Sequence, residues 1–149
     1  MTITESVREY IANLDCIATY DSIVNINFLD NEEDSFSIEE LATEPIEKRF
    51  IDGSTIRRYD FVFCSREPYS VEVMQNLDNS NFYELLSEEI EDKNNNSILP
   101  VVDTDKYEPL SIAVTSNSYL ALVDEDTAMY QINMRFRYIK KGWLINGRN

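Results

Sequence analysis

The sequence predicts an α+β fold: a single mixed, mainly antiparallel sheet with helices packed on one face. Three observations carry this. Ala128, Tyr130, Ile132, Met134, Phe136 and Tyr138 alternate with Met129, Gln131, Asn133, Arg135 and Arg137, the period of a strand with one face on a core. Asp52-Gly53 stands between Phe50-Ile51 and an apolar run from Thr55 to Ser65, a strong hairpin signal. Apolar residues recur at three- and four-residue spacing over residues 3–14 and 70–92, which is helical periodicity. Strands and helices that come in blocks, not in strict alternation, give this class of fold.

At the N-terminus, Thr2 and Glu5 fit a capping box, and Ile3, Val7, Tyr10, Ile11 and Leu14 form the apolar stripe of a helix over residues 3–14. Val24, Ile26 and Phe28 alternate with asparagines and predict a strand over residues 22–29. Residues 30–44 are acid-rich, with Phe36, Ile38 and Leu41 as their few apolar anchors, and read as a solvated or partner-facing loop. The loop opens like a calcium-binding loop. Its sixth position is Ser35 and its twelfth is Leu41, where such loops need a glycine and a bidentate glutamate.

The hairpin pairs residues 47–51 with residues 55–65. On the second strand Arg57, Tyr59, Phe61 and Phe63 share one face, and Ile56, Arg58, Asp60, Val62 and Cys64 the other. Both faces become apolar toward the end of the strand, which places that half centrally in the sheet. In the helix over residues 70–92, Val71, Met74 and Leu77 form one stripe and Phe82, Leu86 and Ile90 a second. Asp78-Asn79-Ser80-Asn81 between them is cap sequence and predicts a break or kink. Strand-like runs at residues 109–115, 119–123 and 127–138 close the domain. Its expected extent is residues 1–139, followed by a basic and apolar arm over residues 140–149.

The composition, 43% hydrophobic residues, is enough for a packed core in a domain of this size. No apolar run approaches the ~20 residues of a membrane helix. The first residues lack the basic flank and apolar stretch of a secretory signal, so a cytoplasmic protein without membrane contact is expected. Two cysteines, Cys16 and Cys64, do not suggest a disulfide framework. The formal charge of −15 opposes direct binding to nucleic-acid phosphates. Charge is unevenly placed. Residues 1–126 hold all 28 acids and eight of the 13 lysines and arginines, while residues 127–149 hold the other five cations and no acid. Such asymmetry is what a head-to-tail ring requires, each basic end meeting a neighbour's acidic side.

Without histidine, the chain has no Ser-His or Cys-His nucleophile pair, and three isolated glycines cannot form a phosphate loop. One enzymatic possibility remains: carboxylates holding magnesium, from Asp124, Glu125 and Asp126 together with Asp103 and Asp105. Acidic turns that merely keep the surface solvated are the plainer reading. No catalytic, cofactor-binding or metal-ligating residue is therefore assigned. Arg57, Arg58, Arg135 and Arg137, interleaved with aromatic residues, are assigned to a subunit interface, because a planar guanidinium pairs well with carboxylates across proteins. Glu32, Glu33 and Asp34 are their expected counterparts on the neighbouring subunit, and Trp143, in a terminal Trp-Leu-Ile cluster that wants burial, is the expected anchor of the arm.

Several separated segments carry a resemblance. The first is Pro45-Ile46-Glu47-Lys48-Arg49-Phe50-Ile51-Asp52-Gly53-Ser54-Thr55-Ile56-Arg57-Arg58-Tyr59-Asp60-Phe61-Val62-Phe63-Cys64-Ser65-Arg66-Glu67. The helical segment around Gln75-Asn76-Leu77-Asp78-Asn79-Ser80-Asn81-Phe82-Tyr83-Glu84 follows it, and Tyr119-Leu120 with its acidic turn and Ala128-Met129-Tyr130-Gln131-Ile132 comes last. In this order they resemble a family of small tail proteins of tailed bacteriophages of Gram-positive bacteria. Members are often labelled minor capsid protein, are regarded as tail terminators, and have relatives in phage-tail-like bacteriocins.

The resemblance implies a small sheet covered by helices and a non-enzymatic, homo-oligomeric ring, expected as a hexamer. The ring would cap the tail tube, stop its polymerisation and offer a surface for the head or neck. Implied partners are a second copy, the tail tube protein, neck or head-completion proteins and, in a contractile tail, the sheath protein. The implied location is the virion tail or a tail-like particle assembled in the bacterial cytoplasm. Two other functions fit the composition: a different neck or head-completion ring protein, and an acidic DNA mimic that inhibits a nucleic-acid-binding protein.

Overall fold

The computed structural model describes residues 1–20, 23–69 and 72–142, without the side chains of residues 73–75. The hydroxyl half of the capping box forms: Thr2 Oγ1 accepts the Glu5 N–H at 3.1 Å and opens α1 (Ile3–Ala12), which buries Val7 and Ile11. The predicted helix over residues 3–14 stops at Ala12. The chain restarts as the single turn α2 (Asp15–Ala18), whose first amides, Asp15 N–H and Cys16 N–H, donate to the Glu89 carboxylate at 2.6 and 3.0 Å. An acid from a distant helix thus supplies the cap that local sequence lacks.

The strands follow as β1 (Val24–Ile26), β2 (Ser35–Glu40), β3 (Ile46–Arg49) and β4 (Thr55–Pro68). After α3 (Val73–Asn95) come β5 (Tyr107–Val114), β6 (Tyr119–Val123) and β7 (Thr127–Lys140). β4 and β7 pair antiparallel over their full length, from Thr55 opposite Lys140 to Pro68 opposite Thr127. Each carries two short strands on its outer edge, β2 and β3 on β4, β5 and β6 on β7. β1 adds to β2 as the one parallel pair among the described strands of the seven-stranded sheet. The α+β class and the mixed, mainly antiparallel sheet are as the sequence predicts.

Register assigns the two faces. Tyr59, Phe61 and Phe63 stand opposite Phe136, Met134 and Ile132. These join Phe36, Ile38 and Ile112 in one core with Val7, Ile11, Leu14 and Ile17 of the first helices and Phe82, Tyr83, Leu86 and Ile90 of α3. The three described helices therefore cover one face. Aromatic contacts knit the layers: the Phe36 ring stacks on Phe63 and on Phe82, with centroids 5.7 and 5.9 Å apart.

Three local expectations are corrected. Ser35–Glu40, read as loop, is a strand with Phe36 and Ile38 fully buried, because β1 and β4 flank it and supply the pairing that its acidic context hides. Phe50 and Ile51, read as strand, lie at the turn, where Gly53 takes φ 88° and Ile51 is fully exposed. The helix does not break at residues 78–81. Asn79 is buried there and donates Nδ2 to the Pro68 carbonyl at 2.7 Å, so one polar residue of the run ties helix to strand while Leu77 points to solvent. Val71 of the first predicted stripe lies outside the described residues, as does the side chain of Met74. Among the described residues no helix is long and apolar enough to cross a membrane.

Candidate functional site

Arg58, Asp60, Arg135 and Arg137 share the sheet face turned away from the helices, brought together by the register Arg58–Arg137 and Asp60–Arg135. Arg135 Nε donates to Asp60 Oδ1 at 2.6 Å. Arg137 grips the Glu47 carboxylate through Nε at 2.9 Å and a second nitrogen at 3.3 Å. Arg58 donates to the Glu44 carbonyl at 2.8 Å and lies 3.8 Å from Asp60. Burial alone would raise the Asp60 carboxyl. The hydrogen bonds from Arg135 and Thr43 and the two guanidinium charges outweigh it and hold the group below its ordinary value.

Arg57 is not part of this group. It falls on the helix-bearing face opposite Tyr138 and donates to Thr55 Oγ1 at 3.0 Å. Glu32, Glu33 and Asp34 sit just ahead of β2, whose Ser35 pairs with Arg66, eight residues along β4 from Arg58. At strand rise that is ~27 Å, so the arginines and the acidic loop do not meet within one chain. Trp143 lies outside the described residues. The last described residue, Gly142, packs so closely on the hairpin turn that a Cβ there would stand 2.3 Å from the Asp52 carbonyl oxygen.

The sequence asymmetry becomes a spatial one. Nine of the 13 lysines and arginines lie on β3, the first half of β4, the turn ahead of β5, and the second half of β7 through Lys141. These segments meet where Thr55 pairs with Lys140. The opposite end gathers Asp30, Glu32, Glu33 and Asp34 from one loop and Asp124, Glu125 and Asp126 from the β6–β7 turn, with Arg66 as its cation. Glu47, Asp52, Asp60, Asp103, Asp105 and Glu108 lie among these cations, so the sheet is weakly basic at one end and strongly acidic at the other.

Each end also exposes apolar side chains, Phe50 and Ile51 at the basic end and Tyr119, Leu120, Leu122 and Val123 on β6. The hydrophobic exposure of β6 is not visible in sequence, where Tyr119–Val123 reads like any core strand. Alternation is missing there, and that absence is the one available signal.

A groove of about 1020 Å³ runs between α3 and β5, floored by Tyr83, Ile90, Ile112 and Ile132 and walled by Glu84, Glu88 and Glu91. Its Ser87 hydroxyl donates to the Tyr83 carbonyl at 2.9 Å, not to a base. Burial and the neighbouring Glu89 raise the Cys16 thiol to about 12, and burial and Glu39 push Cys64 up. Both sulfurs are held as thiols, the form without nucleophilic power.

The carboxylates considered for magnesium are split. Asp103 accepts the Tyr107 N–H beside the end of β7, whereas Asp124 lies beyond its start, ~40 Å away along the strand. Glu67 is different: it is buried, Oε1 has no hydrogen-bond partner among the described residues, and burial followed by the charge of Asp34 raises its carboxyl to about 7. The chain matches no protein-family model and no curated protein.

Proposed function

We propose that the protein is a structural, self-assembling tail component, a tail terminator whose copies join head to tail in a ring, with six as the expected number. The ring closes the end of a tail tube, stops its growth and presents a surface to neck or head-completion proteins, and to a sheath protein in a contractile tail. The observation that carries this reading is the uneven charge of the sheet, which gathers nine of the chain's cations toward one end and leaves the other strongly acidic. One surface and its complement on the same chain make a heterologous contact, which generates a ring when the rotation closes. The resemblance of several ordered segments to a phage tail family supports the reading, and so does a helix-covered sheet. Charged groups of this kind set orientation and encounter rate more than affinity.

Sedimentation at low and high salt, with negative-stain imaging of the purified chain alone and mixed with tail tube protein, tests the reading. The expected result is a ring, on its own or on tube ends, that loosens as salt shortens the screening length from ~10 Å at 0.1 M to ~3 Å at 1 M. A chain that stays monomeric at low salt, and leaves tube growth unchanged, overturns it.

A further inference from the structure

The geometry points to the subunit contact itself: we infer that the Phe50–Ile51 tip of one copy seats on β6 of the next. The inference rests on the self-assembly reading above and adds the surfaces to it. Among the described residues β6 pairs only with β7, and no helix makes more than slight contact with it. Tyr119, Leu120, Leu122 and Val123 are 42–55% exposed. An apolar strand with one unpaired edge is a ready template for another chain, and four large apolar side chains together exceed the scattered exposure that a surface tolerates without a partner.

The complementary feature is at the other end of the molecule. The tight turn after β3 pushes Ile51 fully into solvent, at 105% exposure, with Phe50 at 40% beside it. The Lys48 ammonium stands over the Phe50 ring, 5.2 Å from its centre, so the apolar tip is framed by Lys48, Arg49 and, across β4, Lys140. β6 is framed by Asp124, Glu125 and Asp126. The tip has three cations against one carboxylate, Asp52, which is turned back onto Ser54, and the strand ends in three acids, so the two surfaces are complementary in both apolar character and charge.

They cannot satisfy each other within one chain. Leu122 lies opposite Met129 and the hairpin turn adjoins Lys140, a separation of eleven residues along β7, or ~37 Å. The contact is therefore between copies, and since its two halves differ it propagates in one direction, as a ring requires.

Single-cysteine chains test it. In a Cys16→Ser background, with Cys64 fully buried, Ile51→Cys and Leu122→Cys proteins are purified separately, mixed, and treated with a bismaleimide. The expected product is a dimer in the mixture, none from either protein alone, and a ladder ending at the ring from the chain that carries both cysteines. As a second measurement, Ile51→Asp should weaken association tenfold or more in sedimentation, with the thermal transition of the monomer unchanged. If the unsubstituted chain assembles but neither a 51–122 product nor an Ile51→Asp effect is seen, this contact is wrong and the ring reading stands. If the unsubstituted chain is monomeric under all conditions, both fall.

Discussion

Arg135 and Asp60 face each other across the two central strands, joined by a 2.6 Å hydrogen bond that leaves Asp60 7% exposed. The guanidinium is thus committed to its own chain, and its first duty is to the fold. Arg135→Glu should destabilise the monomer by about 1–3 kcal/mol, because it leaves a buried carboxylate with only Thr43 and the more distant Arg58 as partners, beside a like charge. Urea unfolding measures this, and Asp60→Arg in the same chain should recover part of the loss. Since the Asp60 carboxyl is held below its ordinary value, the pair's contribution is present at neutral pH and disappears as pH falls through the folded-state pKa. Equal stability of Arg135→Glu and the unsubstituted chain at pH 7 would remove the pair from the account of the fold.

Glu67 predicts the opposite pH dependence. Its carboxyl titrates near 7 in the folded protein against 4.5 as its ordinary value, so the folded state favours the protonated form. Stability is fully present below pH 4.5 and declines between 4.5 and 7, where the unfolded chain ionises and the folded one does not. Glu67→Gln keeps the shape and removes the titration. It should stabilise the protein at pH 8 by up to roughly 3 kcal/mol, at ~1.4 kcal/mol per unit, and change little at pH 4. Denaturant midpoints across that range check it, and a gain that is the same at both pH values would show that ionisation is not the cause.

Asn79 is the polar residue inside the core side of α3. Asn79→Ala removes its 2.7 Å bond to the Pro68 carbonyl and should cost about 0.5–1.5 kcal/mol, the net worth of a part-buried hydrogen bond. Asn81→Ala, at an exposed position of the same helix, serves as the control and should stay within ~0.5 kcal/mol. Thermal unfolding compares the two, and equal transitions would make the run at residues 78–81 a simple solvated face.

These residues also mark where the sequence was legible and where it was not. β7 could be read because apolar and polar residues alternate along most of it, and β4 because Tyr59, Phe61 and Phe63 recur at every second position after the Asp52-Gly53 turn. β2 could not. Phe36 and Ile38 are two apolar residues among acids, and their strand exists because β1 and β4 are there to pair with it. The cap sequence at residues 78–81 suggested a break, since nothing local tells a capping asparagine from one that reaches a carbonyl on another element. The four arginines were visible as charges, but their partners depend on strand register. Asp60 is 75 residues from Arg135, and no periodicity encodes that pairing. Arg57 and Arg58, adjacent in sequence, go to opposite faces by the ordinary period of a strand.

The final prediction concerns residues 143–149, which hold Trp143, Leu144 and Ile145 beyond the last described strand. Ile139 and Lys140 pair with Ile56 and Thr55, and Gly142 fits against the hairpin turn where no side chain has room. A stop codon after Gly142 therefore leaves every described element in place. Burying the apolar surface of a tryptophan and two aliphatic residues is worth several kcal/mol at ~25 cal/mol per Å², which an arm gains only by reaching a groove. Docking on a neighbouring copy or the adjoining tail ring predicts a truncated chain with an unchanged unfolding midpoint that no longer assembles. Folding back on its own body predicts the reverse, a lowered midpoint with assembly retained. Trp143→Ala in the full chain separates loss of the anchor from loss of length: it should reproduce most of the assembly defect. Rings that form normally from both variants would leave the arm without a part in assembly.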